Sequence, residues 1–248
     1  HAHEDHIGAI TYVWKNLKCK IYATPFTAAL VTEKFKEKKI DIIPYLKIVE
    51  LNGTVNLDPF KIEFVALTHS IIEPNGLRIE TPAGVILHTG DWKFDPDPVV
   101  GDVSDKELIK KYGDEGKFLA MICDSTNVLS EGHSKSEGAL YESLKELVDG
   151  RKGLVGITTF ASNIARIHTI ARVARDTGRK IVLAGYSLHR ICEVGKKSGY
   201  FMEDFEFISD REMKFYDKRE VLVICTGCQG EPNAATKKIA IDIHPSIR

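Results

Sequence analysis

The chain has 248 residues, 43% hydrophobic and 28% charged, with 34 Lys and Arg against 35 Asp and Glu and a formal net charge of -1. That length suits one large domain or two smaller ones, and the even charge balance excludes bulk electrostatics as a way to hold a polyanion, which would need a local patch or bound metal. No run of about 18 apolar residues occurs, so no membrane-spanning helix is expected, and five cysteines without an even framework fit a reducing compartment, the cytoplasm, better than a disulfide scaffold.

Along the chain, short apolar runs alternate with amphipathic segments. The pattern predicts a helix over 8–17, a strand over 20–23 and a helix over 27–38. Strands follow near 61–67, 77–80 and 85–88, the last two joined by the turn-like TPAG, and then FLAMI at 118–122. Beyond CDSTN (123–127) the rhythm becomes more regular. Strand candidates at 153–160, 180–186 and 221–227 alternate with helices over 163–176, closed by Gly178, over 188–197, and from about Glu231. The first half reads as α/β or layered α+β. The second, with nearly continuous apolar strands, reads as a parallel sheet covered on both faces. The change of style near 124–135 marks the domain boundary, with residues 1–130 on one side and 131–248 on the other.

The opening HAHEDH packs His1, His3, Asp5 and His6 into six residues. In an extended segment His1 and His3 point to the same side, and Asp5 and His6, at the start of the following helix, aim at a second, adjacent point. Two ligand sets from one loop indicate two divalent metals a few ångströms apart. His69 ends the apolar strand of FVALTHS, and Asp91 follows a strand in LHTGDWKFDP. Each alone would read as a structural residue, but with HxHxDH upstream both become candidate ligands.

These residues together resemble the metallo-β-lactamase superfamily, whose fold is an αββα sandwich with a dinuclear site, usually zinc, at one edge. The resemblance implies that His1, His3 and His69 hold one metal, that Asp5 and His6 hold the second, and that Asp91 bridges both. It leaves His88 a structural residue. Oxygen from Asp5 makes the second site harder and suits phosphate chemistry with Zn or Mn.

CDSTN places Asp124 at a strand end. TFASN (159–163), GYSLHR (185–190) and CTGCQGEP (225–232) each put small polar groups at a strand end opening a helix, and on one parallel sheet they would gather at its carboxyl edge. In order and spacing these stretches are similar to the β-CASP nucleases, most closely the ribonuclease J family. The expected architecture is therefore a partial metallo-β-lactamase sandwich with an inserted β-CASP α/β domain. The resemblance implies a metal-activated water hydrolysing RNA phosphodiesters, as a 5′-to-3′ exonuclease with endonuclease activity that prefers a 5′ monophosphate. Asp5, His6, Asp91 and Asp124 would be catalytic. Ser162, Asn163 and Arg166, with Gly227, Gln229 and Gly230, would contact RNA. A homo-oligomer is expected, as are further strands before His1 and further His-containing motifs after Arg248, for which His244, in its HPS context, is no substitute.

Position 228 is Cys where that family usually has Ser. Cys225 and Cys228 make a C-x-x-C that reads as structural, with zinc or redox chemistry the alternative. Two other functions stay open on the residues alone: a hydrolase for a small ester, thioester or lactam, and a non-catalytic RNA-binding paralogue.

Overall fold

The structure is a computed structural model that describes residues 1–200 and 205–247. It divides into two compact units, His1–Lys135 and Ser136–Arg248.

The first unit opens with α1 (Glu4–Ile7) and α2 (Ile10–Leu17). The helix expected at 8–17 is found as α2, starting two residues later, and the short turn α1 precedes it. The Gly8 N–H closes on the Glu4 carbonyl at 2.7 Å and ends the first turn, so Asp5 and His6 lie within α1 and not ahead of a longer helix. After β1 (Ile21–Ala23) comes α3 (Pro25–Glu37), which starts on Pro25, a residue whose fixed φ suits the first helical position. Phe26, Leu30, Val31 and Phe35 form the buried stripe of α3. The helix packs on β1, on β2 (Leu46–Ile48) and against α2, while β1 and β2 pair in parallel.

β3 (Thr54–Leu57), β4 (Phe60–Ala66), β5 (Asn75–Thr81) and β6 (Gly84–His88) form an antiparallel run. The TPAG turn closes β5 on β6, with Gly84 at φ 141° and the Thr81 hydroxyl donating to its carbonyl. The chain then passes through α4 (Lys106–Asp114), capped by the Asp105 carboxylate, to reach β7 (Phe118–Ile122). β7 joins β6 in parallel, which requires such a crossover. The sheet order is β3-β4-β5-β6-β7. Two sheets with helices give the mixed α/β build expected of the sandwich.

The second unit begins with α5 (Leu140–Val148) and continues β8 (Val155–Thr158), α6 (Ile164–Asp176), β9 (Lys180–Ala184), α7 (Tyr186–Lys197), β10 (Phe207–Ile208), β11 (Val221–Cys225) and α8 (Ala235–Ala240). Its four strands are all parallel in the order β10-β9-β11-β8. β11 is buried along its whole length and β9 along all but its first residue, as strands covered on both faces must be. On α6, Ile164, Ile167, Ile170, Ala171 and Ala174 repeat every three or four residues and are all buried. The Arg179 guanidinium, itself buried, donates to the carbonyls of Gly153, Arg151 and Val221 and so ties the entry to β8 to the first residue of β11. Among the described residues no helix is long and apolar enough to cross a membrane.

Leu222 is 0% exposed at the centre of this sheet. Leu222→Ala should lower the unfolding free energy by about 2–5 kcal/mol, read as a drop in urea midpoint without a change in slope.

Candidate metal centre

Three chain segments build the site, each set by a different local device. The first is HAHEDH. The His3 carbonyl accepts the N–H groups of His6 and Ile7, both at 3.0 Å, which winds Glu4–Ile7 into one helical turn and swings His6 back over His1. The two imidazole centroids are 4.0 Å apart. Lys34 of α3, whose side chain is only 13% exposed, donates to both Glu4 carboxylate oxygens at 2.7 Å and holds the turn against α3.

His69 lies on the segment that follows β4. The buried Glu73 carboxylate, later in the same loop, accepts the Phe26 N–H at 2.8 Å, within the first turn of α3, where a helix favours negative charge. The third segment is the TGD turn after β6. Gly90 sits at φ 59°, and its N–H donates to His88 Nδ1 at 3.0 Å. His88 therefore braces the turn that presents Asp91, the structural part expected of it. The Thr89 hydroxyl accepts the Asp124 N–H at 3.1 Å and links this turn to the end of β7.

These segments bring His1, His3, His69 and Asp91 together as one set and Asp5, His6 and Asp91 as another, with the donor atoms of each set within 4.8 Å of one another. Asp91 Oδ2 lies 3.2 Å from His6 Nε2, 3.5 Å from His1 Nε2 and 3.8 Å from His69 Nε2. His1 Nε2 stands 3.1 Å from His3 Nδ1, and His6 Nε2 3.7 Å from Asp5 Oδ2. Burial first, and then the neighbouring His69, lowers the His3 pKa to about 4, and burial also lowers that of His69. Both stay neutral at ordinary pH, the form that offers a nitrogen lone pair to a metal. Neutral imidazoles and carboxylates converging on two adjacent points, with one carboxylate common to both, fit a pair of divalent ions.

Asp124 stands outside both sets. Its Oδ1 accepts the Thr126 N–H at 2.9 Å and the Thr126 hydroxyl at 2.6 Å, and these bonds hold its pKa below the ordinary carboxylate value.

In the second unit, Ser162 and Asn163 follow β8, and Gly227, Gln229 and Gly230 follow β11, at the carboxyl ends of adjacent parallel strands. Two of the side chains expected on the RNA path are engaged within the unit. Buried Asn163 caps α6 by accepting the Arg166 N–H at 2.9 Å. The Arg166 guanidinium grips the buried Glu137 carboxylate, with Nη2 to Oε2 at 3.1 Å. Gly227 has φ 116°, and a Cβ there would stand 2.8 Å from the Ala234 side chain, so this turn requires glycine. The Gln229 N–H donates to Glu231 at 3.1 Å, and Gly230, at φ 77°, borders open space.

Cys225 is buried and Cys228 exposed, both as free thiols, and among the described residues no cysteine joins a converging ligand set. His244 is buried, with Nδ1 accepting the Ser246 and Ile247 N–H groups. Sequence reasoning missed Glu4, Lys34, Glu73, Thr89 and Glu137. Only Glu4, lying inside HAHEDH, carried a local signal.

Residues 1–157 match the profile of the metallo-beta-lactamase superfamily, and residues 152–248 match that described as ribonuclease J, beta-CASP domain. Ribonuclease J of Sinorhizobium meliloti is 42% identical over 243 residues, covering 98% of this chain and 43% of that protein. Ribonuclease J of Helicobacter pylori J99 is 37% identical, over 100% of this chain and 36% of its own length. For ribonuclease J2 of Bacillus subtilis the figures are 35%, 100% and 44%. The chain thus spans less than half the length of these relatives. Among solved structures, a protein of unknown function from Enterococcus faecalis V583 superposes with a TM-score of 0.56 at 14% identity, over 83% of this chain and 52% of that one, a likeness of fold alone.

The low His3 pKa sets the sign of an acid effect. Unfolded, this imidazole takes up a proton near 6.5; folded, only near about 4. Its contribution to stability is therefore whole above about pH 6.5, declines as pH falls, and is gone below about pH 4. Thermal melts of metal-free protein at pH 7.5 and 4.5 should show a smaller acid-induced drop for His3→Gln than for wild type.

Proposed function

The chain belongs to the metallo-β-lactamase superfamily, and we propose that it carries the metal-binding part of a ribonuclease that hydrolyses RNA phosphodiester bonds. The observation that carries this reading is the Asp91 carboxylate shared between a histidine-rich and an oxygen-rich donor set. The relatives bearing the name ribonuclease J direct the substrate to RNA.

His1, His3 and His69 are the residues for one ion, Asp5 and His6 for the second, and Asp91 serves both. Two bound divalent ions supply Lewis acidity toward a phosphate and lower the pKa of water. The three imidazoles of the first set favour zinc, and the two carboxylates of the second admit zinc or manganese. Asp5, exposed beside His6, is placed to accept a hydrogen bond from a water and to orient it. His6 Nε2 faces the Asp5 and Asp91 carboxylates, 3.7 and 3.2 Å away, so that the three would offer their donor atoms to one ion. Asp124, kept ionised by Thr126, offers a fixed acceptor at the end of β7.

In the second unit, the Ser162 hydroxyl and the exposed Gln229 side chain are the groups offered to RNA. Gly227 and Gly230 give the turn its shape, while the Gln229 and Gly230 N–H groups are taken up by Glu231 and the Gly227 carbonyl. Asn163 and Arg166 serve by shaping the turn that presents them. By the likeness of these strand-end turns, the reading extends to 5′-to-3′ exonuclease action with internal cutting, a preference for a 5′ monophosphate, a cytoplasmic location and a homo-oligomer.

Asp5→Ala, His6→Ala and Asp91→Asn, each made in the protein, should lower kcat/KM on 5′-monophosphorylated RNA by at least about 100-fold, beyond the about 10–100-fold typical of losing an outer partner. Chelation should abolish cleavage, and the ion that restores it identifies the metal. Undiminished cleavage by Asp5→Ala would overturn the assignment.

A further inference from the structure

Thr68 immediately precedes His69 and is 3% exposed. All of its polar groups are bonded to one stretch of chain on the far side of Asp91. Its N–H donates to Ser104 Oγ at 2.8 Å, and its carbonyl accepts the Lys93 N–H at 2.8 Å. Its hydroxyl donates to the Lys93 carbonyl at 2.5 Å, accepts the Asp95 N–H at 3.1 Å and lies 3.0 Å from Ser104 Oγ. The backbone pairing is a single isolated antiparallel bridge, Thr68 to Lys93. With no ladder on either side, a bridge of this kind fixes direction but tolerates slippage, and the hydroxyl is what locks it.

The two ends of that lock are ligand-bearing. His69 is one residue beyond Thr68, and Asp91 is two residues before Lys93. Their facing atoms, His69 Nε2 and Asp91 Oδ2, are 3.8 Å apart. His69 belongs to the histidine-rich set alone, whereas the Asp5, His6 and Asp91 set does not contain it. A change in the Thr68 lock therefore moves the first set more than the second.

We propose that Thr68 is a positioning residue whose hydroxyl fixes His69 against Asp91 and so sets the affinity of the histidine-rich ion site. The proposal rests on the two-ion reading above. A purely structural threonine would contribute to stability and leave ion binding untouched, which makes the two roles separable.

The test is calorimetric titration of the metal-free protein with Zn²⁺ alone, with His69→Ala used to identify the binding event that belongs to the histidine-rich set. Thr68→Val keeps the shape and removes the hydroxyl. It should weaken that event by about 10–100-fold while the other event holds. Thr68→Ser should restore wild-type affinity. Ser104→Ala, a milder change that leaves Thr68 in place, should weaken the same event to a smaller degree. Val65→Ala, a buried change on β4 that removes none of the groups hydrogen-bonded to Thr68, should lower the melting temperature and leave both affinities unchanged. The proposal is overturned if Thr68→Val binds both ions as tightly as wild type, if Thr68→Ser is as weak as Thr68→Val, or if Val65→Ala weakens zinc binding equally. Wild-type protein that takes up no Zn²⁺ would overturn the two-ion reading itself, and the role of Thr68 with it.

Discussion

One carboxylate oxygen, Asp91 Oδ2, faces the Nε2 atoms of His1, His6 and His69 at 3.2–3.8 Å. Crowding partly buried imidazoles round a carboxylate is unfavourable unless each lone pair and charge finds a partner. The arrangement stands because rigid elements impose it. His1 and His6 come from a turn pinned to α3 through Glu4 and Lys34, His69 from a segment locked by Thr68, and Asp91 from a glycine turn braced by His88. Even the helix α3 is recruited twice, since Glu73 also binds its first turn. The sheet β4-β5-β6-β7 sets these segments at one end, and the hydrogen bonds among their side chains fix the last ångström.

What could be read beforehand and what could not divide along a physical line. HAHEDH was legible because its ligands are local: two alternating histidines and a one-turn spacing announce convergence. His69 and Asp91 were legible from strand ends next to that motif. The strands β8, β9 and β11 were legible because unbroken apolar runs have few other fates. β2 and β3 escaped notice because each is short and partly exposed; β3 alternates, but over four residues only. α4 and α5 were hidden by their flanking polar residues, although each buries one side of an amphipathic turn. The helix read over 8–17 stands as α2, while α1 was not set apart from it because four residues are too few to show a period of their own.

The partners of the site residues belong to the illegible part. Lys34 lies thirty residues from Glu4, and Glu137 twenty-nine from Arg166. Nothing in the local pattern distinguishes these charges from those of any solvated face. The Arg166 and Asn163 side chains show the consequence. Both were expected to contact RNA; in the structure one grips a buried carboxylate and the other caps a helix. Their geometry serves the shape of the turn after β8, just as the space at Gly227, closed by Ala234, serves that after β11. Several backbone N–H groups of these turns are likewise spent internally, those of Asn163, Gln229 and Gly230 among them, which residue identity does not reveal.

The near-zero net charge bears on the proposed two-ion reading. Asp5, Asp91 and Asp124 put three carboxylates on the ends of neighbouring segments, and without compensation their field repels any polyanion that approaches. Two divalent ions, bound as proposed, would carry more positive charge than those three groups carry negative, so the sign of the site would be set by what it binds and not by the chain. On this account affinity for a polyanion and readiness to cleave it depend on the same ions. On the proposed two-ion reading, the histidine-rich set, held by Thr68 through His69, would bear on both.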